Sequence, residues 1–174
     1  MEFIIGRGTE RDRASLNLYT TANQNRIENE RPDQERSIEA LRAARRYAKQ
    51  TSPSATCRSL TAMYNCVGLV FASRRTVVDC KHLELILRDD GYRPVTRDKV
   101  VEGDVVVYLR SNEPQHVGIV FRLEDRSPTR DGSIIQPWIL SQWGEDGEYI
   151  HKLEEVPSIY GDVTRFWSER KEPT

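Results

Sequence analysis

The stretch YNCVGLVFA, residues 64–72, puts one cysteine at the head of a short apolar run. A thiol attacks a carbonyl only as the thiolate, and a free cysteine near neutral pH is mostly protonated. Asn65 is a helix-capping residue type, and the expectation is that Cys66 sits in the first turn of a helix that Asn65 caps. Backbone N–H groups and the helix dipole there favour an anion. The same start, Asn65 and Cys66, offers N–H groups to a developing oxyanion. An imidazolium neighbour would lower the thiol pKa further. His116, in QHVGIVF (115–121), opens a strand-like run after Pro114 and is the candidate. Each residue also has an ordinary reading. A cysteine in an apolar helix is usually a small buried hydrophobe, and a histidine at a strand start is usually structural or exposed.

The remaining candidates carry less. Cys57 and Cys80 lack comparable neighbours and are expected to pack. Cys80 and His82, two apart on a helix, point to different faces and make a poor pair. Three cysteines at wide gaps argue against a disulfide framework and fit a reducing compartment. No CxxC occurs, and His82, His116 and His151 are scattered, so no metal site is expected and no organic cofactor is implied. A net charge of −1 gives nucleic acid no general hold. The local cluster Arg42, Arg45, Arg46 and Lys49 reads as a solvated helix face. No apolar run approaches the roughly 18–20 residues that span a bilayer, so no membrane partner is expected. The opening MEFIIGRGTERDRASLN lacks a signal-peptide pattern, and the expected compartment is the cytoplasm, with export by a specialised system as the alternative.

These residues need elements to hold them. Residues 1–32 are polar and read as an arm or loosely packed extension. From 33 to 174 a single domain is expected. Asp33 is placed as the cap of a first helix whose stripe is Ile38, Leu41, Ala44, Ala48 and Tyr47, ending near TSPSA (51–55). A second helical region is expected over Cys57 to about Ser73, with a break near Tyr64–Asn65 as the alternative, and a third from about Val78 to Asp90, stopped by Gly91. After Gly91 the period becomes strand-like. GDVVVYLR (103–110), HVGIVFRLE (116–124), SIIQPWILSQW (133–143) and GEYIHKL (147–153) are separated by turn residues. TRFWSER (164–170) adds an edge strand, and SPTRDGS (127–133) reads as a hairpin loop. Helices first and an antiparallel meander after them make an α+β fold. Gly68 is read as keeping its helix slim against that sheet, and Asp104 as a turn residue.

In this order, NCVGLVFA (65–72), VEGDVVVYL (101–109) and QHVGIVF (115–121) resemble the NlpC-type and CHAP-type cysteine peptidases and amidases. The resemblance covers about Tyr64 to Trp143. It implies a papain-like fold with helices packed on an antiparallel sheet. It also implies cleavage of an amide, peptide or isopeptide bond by a Cys66–His116 pair. Cysteine before histidine is the order of the unpermuted families. In those families a third polar residue on the strand after the histidine orients the imidazole ring. That strand here is IIQPWILSQW (134–143), and Gln142 is the choice, with Ser141 the alternative because adjacent residues face opposite ways. His151 takes the role if the register differs. The chain departs from the common pattern in having no His, Asn or acid at that point. Trp143 and Tyr64 are the candidates for a substrate-groove wall, against the ordinary reading of strand aromatics as cross-strand pairs. The implied partner is a peptide or peptidoglycan-like substrate. Two rival readings use the same residues: an inactive papain-like binding module, and an exported peptidoglycan amidase toxin.

Overall fold

The computed structural model describes residues 15–126 and 134–170. In chain order it holds β1 (Asn29–Glu30), α1 (Ile38–Thr51), β2 (Thr56–Ser59), α2 (Cys66–Phe71), β3 (Val77–Val78), α3 (Leu83–Asp89) and β4 (Arg93–Val95). There follow β5 (Val105–Arg110), β6 (Glu113–Asp125), β7 (Ile135–Gln142), β8 (Glu148–Lys152) and β9 (Val163–Ser168). Seven strands form one antiparallel sheet in the order β2-β8-β7-β6-β5-β9-β4, and β1 pairs with β3 in a separate two-stranded ribbon. The fold is mixed α+β.

The run Val105-Val106-Val107-Tyr108-Leu109 has no polar side to offer water, and β5 is buried on both faces. Val105, Val107 and Leu109 share one apolar cluster with Val67 of α2 and with Leu83, Ile86 and Leu87 of α3. Val106 and Tyr108 face the other way, into a cluster with Val120, Ile139, Leu153 and Phe166. Burying an aliphatic side chain of this size contributes roughly 1.5–3 kcal/mol, so the strand between the two clusters anchors the sheet. The hairpin from β5 to β6 turns on Ser111 and Asn112, both with positive φ.

Several elements differ from their sequence reading. Ser37, not Asp33, caps α1: its Oγ accepts from the Ala40 N–H at 3.2 Å. Ile38 and Tyr47 are 48% and 63% exposed, and only Leu41 and Ala48 of the predicted stripe are buried. The region 57–73 is helical only beyond the break at Tyr64–Asn65. Thr56–Ser59 forms β2 on β8, and α2 is six residues long. Two valines and a glycine give α2 weak helix propensity, so its cap and burial hold it. It ends where Ser73 and Arg74 enter the left-handed region, the Arg74 N–H reaching back to the Gly68 carbonyl at 3.0 Å. β9 is not an edge strand, because it lies between β5 and β4. The edges are β2 and β4, which the pattern did not separate from their surroundings. Residues 127–133, read as a hairpin loop, lie outside the described residues.

The described part of the polar arm is packed. Ile27 is buried in the α2–α3 cluster, and the buried Asp89 carboxylate at the end of α3 accepts from Thr20 Oγ1 at 3.0 Å and Asn25 Nδ2 at 2.7 Å.

Candidate active site

Asn65 builds the start of α2. Its backbone is extended, and its Oδ1 accepts from the Gly68 N–H at 3.0 Å, which caps the helix. The same amide clamps β3: Nδ2 donates to the Val78 carbonyl at 2.7 Å and Oδ1 accepts from the Val78 N–H at 3.1 Å. Gly68 makes the clamp possible. A Cβ there would stand 1.8 Å from the Thr76 carbonyl oxygen. The close approach that requires glycine is therefore toward the segment leading into β3, and not toward the large sheet as the sequence suggested.

Cys66 is the first residue of α2 and is 5% exposed. Its thiol pKa is held well below the ordinary range. The neighbouring Cys80 thiol contributes most. Burial opposes this, while the His116 ring and the Val117 N–H add to it. The Cys80 thiol moves in the opposite direction, up, because the Cys66 sulfur lies beside it and because it is buried. Of the two, Cys66 carries the anion, since it also has the imidazole, the strand N–H and a helix start beside it. Cys57 behaves as an ordinary thiol, its pKa raised by burial.

His116 lies on β6 with no solvent exposure. Its ring stacks on Tyr160 at 4.0 Å and 19° and leans on Tyr108 at 5.6 Å and 47°. Neither ring nitrogen has a hydrogen-bond partner of ordinary geometry among the described residues. The Cys66 sulfur is near enough to feel the ring without the distance and angle of a standard hydrogen bond. The His116 ring is thus within electrostatic reach of the Cys66 sulfur.

Among the described residues no third polar side chain bonds to the His116 ring. Ile119 pairs with Leu140, and a Cβ on Gly118 would meet Ser141 Cβ at 3.1 Å. Ser141 therefore shares the His116 face of the sheet, and Gln142 is turned to the other side. There Gln142 Nε2 donates to the Thr61 carbonyl at 2.7 Å and the Gly144 carbonyl at 3.0 Å. Ser141 is engaged elsewhere too, its Oγ 2.8 Å from His151 Nε2. His151 Nδ1 lies 2.8 Å from the Lys152 carbonyl, which must be an acceptor, so the network assigns the proton to Nδ1 and leaves Nε2 to accept from Ser141. Burial pushes the His151 pKa down to about 3. Neither Gln142, Ser141 nor His151 reaches the His116 ring, which is positioned by aromatic packing.

Tyr64 does not stand as a wall of an open groove. Tyr64 is buried, its hydroxyl donating to the Glu148 carboxylate at 3.0 Å, and that carboxylate also takes the Arg74 guanidinium at 2.7 Å. Trp143 is buried in a stack on Tyr149 at 4.3 Å, a cross-strand pair between the end of β7 and β8. Asp104 is a turn residue as read, its Oδ2 accepting from the Val101 N–H at 2.9 Å, and it also holds Arg170 at 2.9 Å.

Sequence reasoning missed Cys80 and Tyr160. Cys80, assigned to packing, lies on the cleft side of Cys66. It lines a surface cleft of about 500 Å³ together with Asp79, Lys81, Glu113 and Gln115. Tyr160 lies on the other side of the pair and lines a second cleft of about 360 Å³ with Trp143 and Tyr47. A spacing of fourteen residues from Cys66 gives no hint of Cys80, because the clamp from Asn65 to Val78 is what folds it back. Gly161, with φ +100, pins the Tyr160 turn on β5, since a Cβ there would stand 2.2 Å from the Leu109 carbonyl oxygen.

No family model, curated protein or solved structure matches the chain in comparison. No group of three or more His, Cys, Asp or Glu side chains placed to hold a metal occurs among the described residues. No described helix is long and apolar enough to cross a membrane.

Proposed function

We propose that this chain is a cysteine-dependent hydrolase of amide, peptide or isopeptide bonds, with Cys66 as nucleophile and His116 as its acid–base partner. The observation that carries the reading is an imidazole whose nitrogens have no hydrogen-bond partner among the described residues, beside a thiol already biased toward its anion. A buried polar nitrogen left unpaired costs roughly 1–3 kcal/mol, so it marks a position kept for something other than packing. In the reaction the Cys66 sulfur attacks the carbonyl and the first N–H groups of α2 face the developing oxyanion. His116 protonates the leaving amine, and water then releases the acyl group from the sulfur. We read the fold as papain-like on the same grounds: the cysteine heads a helix and the histidine follows on an antiparallel strand. The substrate in this reading is a peptide or peptidoglycan-like amide.

A second reading is favoured by one observation, the near-complete burial of both residues. It makes the chain an inactive papain-like module that binds a partner. A thiol-directed activity probe decides between them. The hydrolase labels at Cys66 much faster than at Cys57, and the label is lost in Cys66→Ala. Equal labelling at the two cysteines overturns the hydrolase and leaves the binding module.

A further inference from the structure

The Cys80 thiol is the largest influence on Cys66, and the proposed hydrolysis gives it no role. The two cysteines are held together from three directions. The side chain of Asn65, next to Cys66, is bonded twice to Val78, two residues before Cys80. Cys80 Sγ lies 3.5 Å from the Gln115 carbonyl oxygen, while Cys66 sits beside His116 and Val117 of the same stretch of β6. Both side chains belong to one apolar cluster, Cys66 within it and Cys80 against it. Backbone groups of Gln115 and Val117 flank a single residue of an extended strand, so sulfurs lodged at each are near neighbours. Cys80 also lines the 500 Å³ cleft, so a small oxidant reaching the pair from solvent meets it there.

We propose that Cys66 and Cys80 are a redox couple, closing to an intramolecular disulfide with Cys80 as the resolving thiol. The inference rests on Cys66 being the reactive thiol of the site proposed above. The oxidant class is a small hydroperoxide. The Cys66 sulfur attacks the peroxide O–O bond, an S–O bond forms and hydroxide leaves, giving a sulfenic acid. The Cys80 sulfur then attacks the Cys66 sulfur. The S–S bond forms as the S–O bond breaks, and the Cys80 proton leaves with the hydroxyl as water. The two thiols together lose two electrons and the peroxide is reduced to water. A thiol reductant reverses the closure by exchange. The disulfide removes the nucleophile and shields it from irreversible oxidation.

The test treats the full chain with hydrogen peroxide, blocks remaining thiols and maps the peptides by mass under non-reducing conditions. The expected result is loss of two of the three alkylatable thiols. A crosslink between the Cys66 and Cys80 peptides accompanies it, and dithiothreitol restores both thiols. Cys57→Ser retains that crosslink. In Cys80→Ser the Cys66 peptide instead gains two or three oxygens, and if that variant fails to fold, the wild-type and Cys57→Ser maps decide alone. Oxygen addition at Cys66 without a crosslink in the wild type overturns the proposal, as does a crosslink to Cys57. The readout is mass and not turnover. A hydrolase without the crosslink sinks the couple only, and a crosslink without hydrolysis sinks the hydrolase only.

Discussion

His116 and His151 are both without solvent exposure, on β6 and β8, pointing to the same side of one sheet. They differ in their partners. Each nitrogen of His151 is accounted for, one by Ser141 and one by the Lys152 carbonyl, and the ring is held neutral. Neither nitrogen of His116 is accounted for, and a thiol lies beside it. Burial alone therefore does not sort a structural histidine from a chemical one. The state of its hydrogen-bonding capacity does.

The largest consequence concerns acid. The His151 pKa in the folded chain, about 3, lies below the unfolded value of about 6.5. As pH falls the unfolded chain binds this proton first. The stability tied to a neutral His151 is full above about pH 6.5 and is lost on the way down toward pH 3. One proton gives a slope of about 1.4 kcal/mol per pH unit. Urea unfolding between pH 7 and pH 4 should show that slope, and His151→Gln should reduce it by about one proton. An unchanged slope would mean that His151 charges in the folded state and that the contrast with His116 is false.

A smaller effect sharpens the other side. His116→Ala removes the ring that lowers the Cys66 pKa. Cys66 alkylation at about pH 6 should therefore slow relative to the wild type. His151→Gln should leave the alkylation profile in place. Equal slowing in both variants would show that the two histidines act through general packing.

The same contrast explains what could be read from the sequence. The start of α2 at Cys66 was legible because a cap residue and an apolar run lie next to it in the chain, and those are short-range signals; His116, read as opening a strand, is instead the fourth residue of β6. β5 to β8 were legible for the same reason, being rich in Val, Ile, Tyr and Trp and separated by turn residues. Ser37, β2 and the sheet order were not, because α1 takes its cap from the third residue after Asp33's neighbour Gln34, and β2 depends on pairing with β8 nearly a hundred residues on. Cys80 and Tyr160 are further examples. Each reaches the site through a distant contact, the Asn65–Val78 clamp for one and the stack on His116 for the other. The choice between Gln142 and Ser141 turned on a register of one residue, which alternation alone leaves open.

That register yields the smallest effect. Ser141→Ala deletes the hydroxyl that donates to His151 Nε2 and leaves a buried acceptor unpaired, which costs about 1–2 kcal/mol of stability. The Cys66 alkylation profile should not move, because Ser141 bonds to the neutral ring and not to His116. Gln142→Leu is expected to destabilise through its lost bonds to the Thr61 and Gly144 carbonyls, again with the thiol profile in place. A profile that shifts in Gln142→Leu but not in Ser141→Ala would reinstate Gln142 as the residue that orients His116. It would also require β7 to be paired one residue away from the register in which Ile119 opposes Leu140.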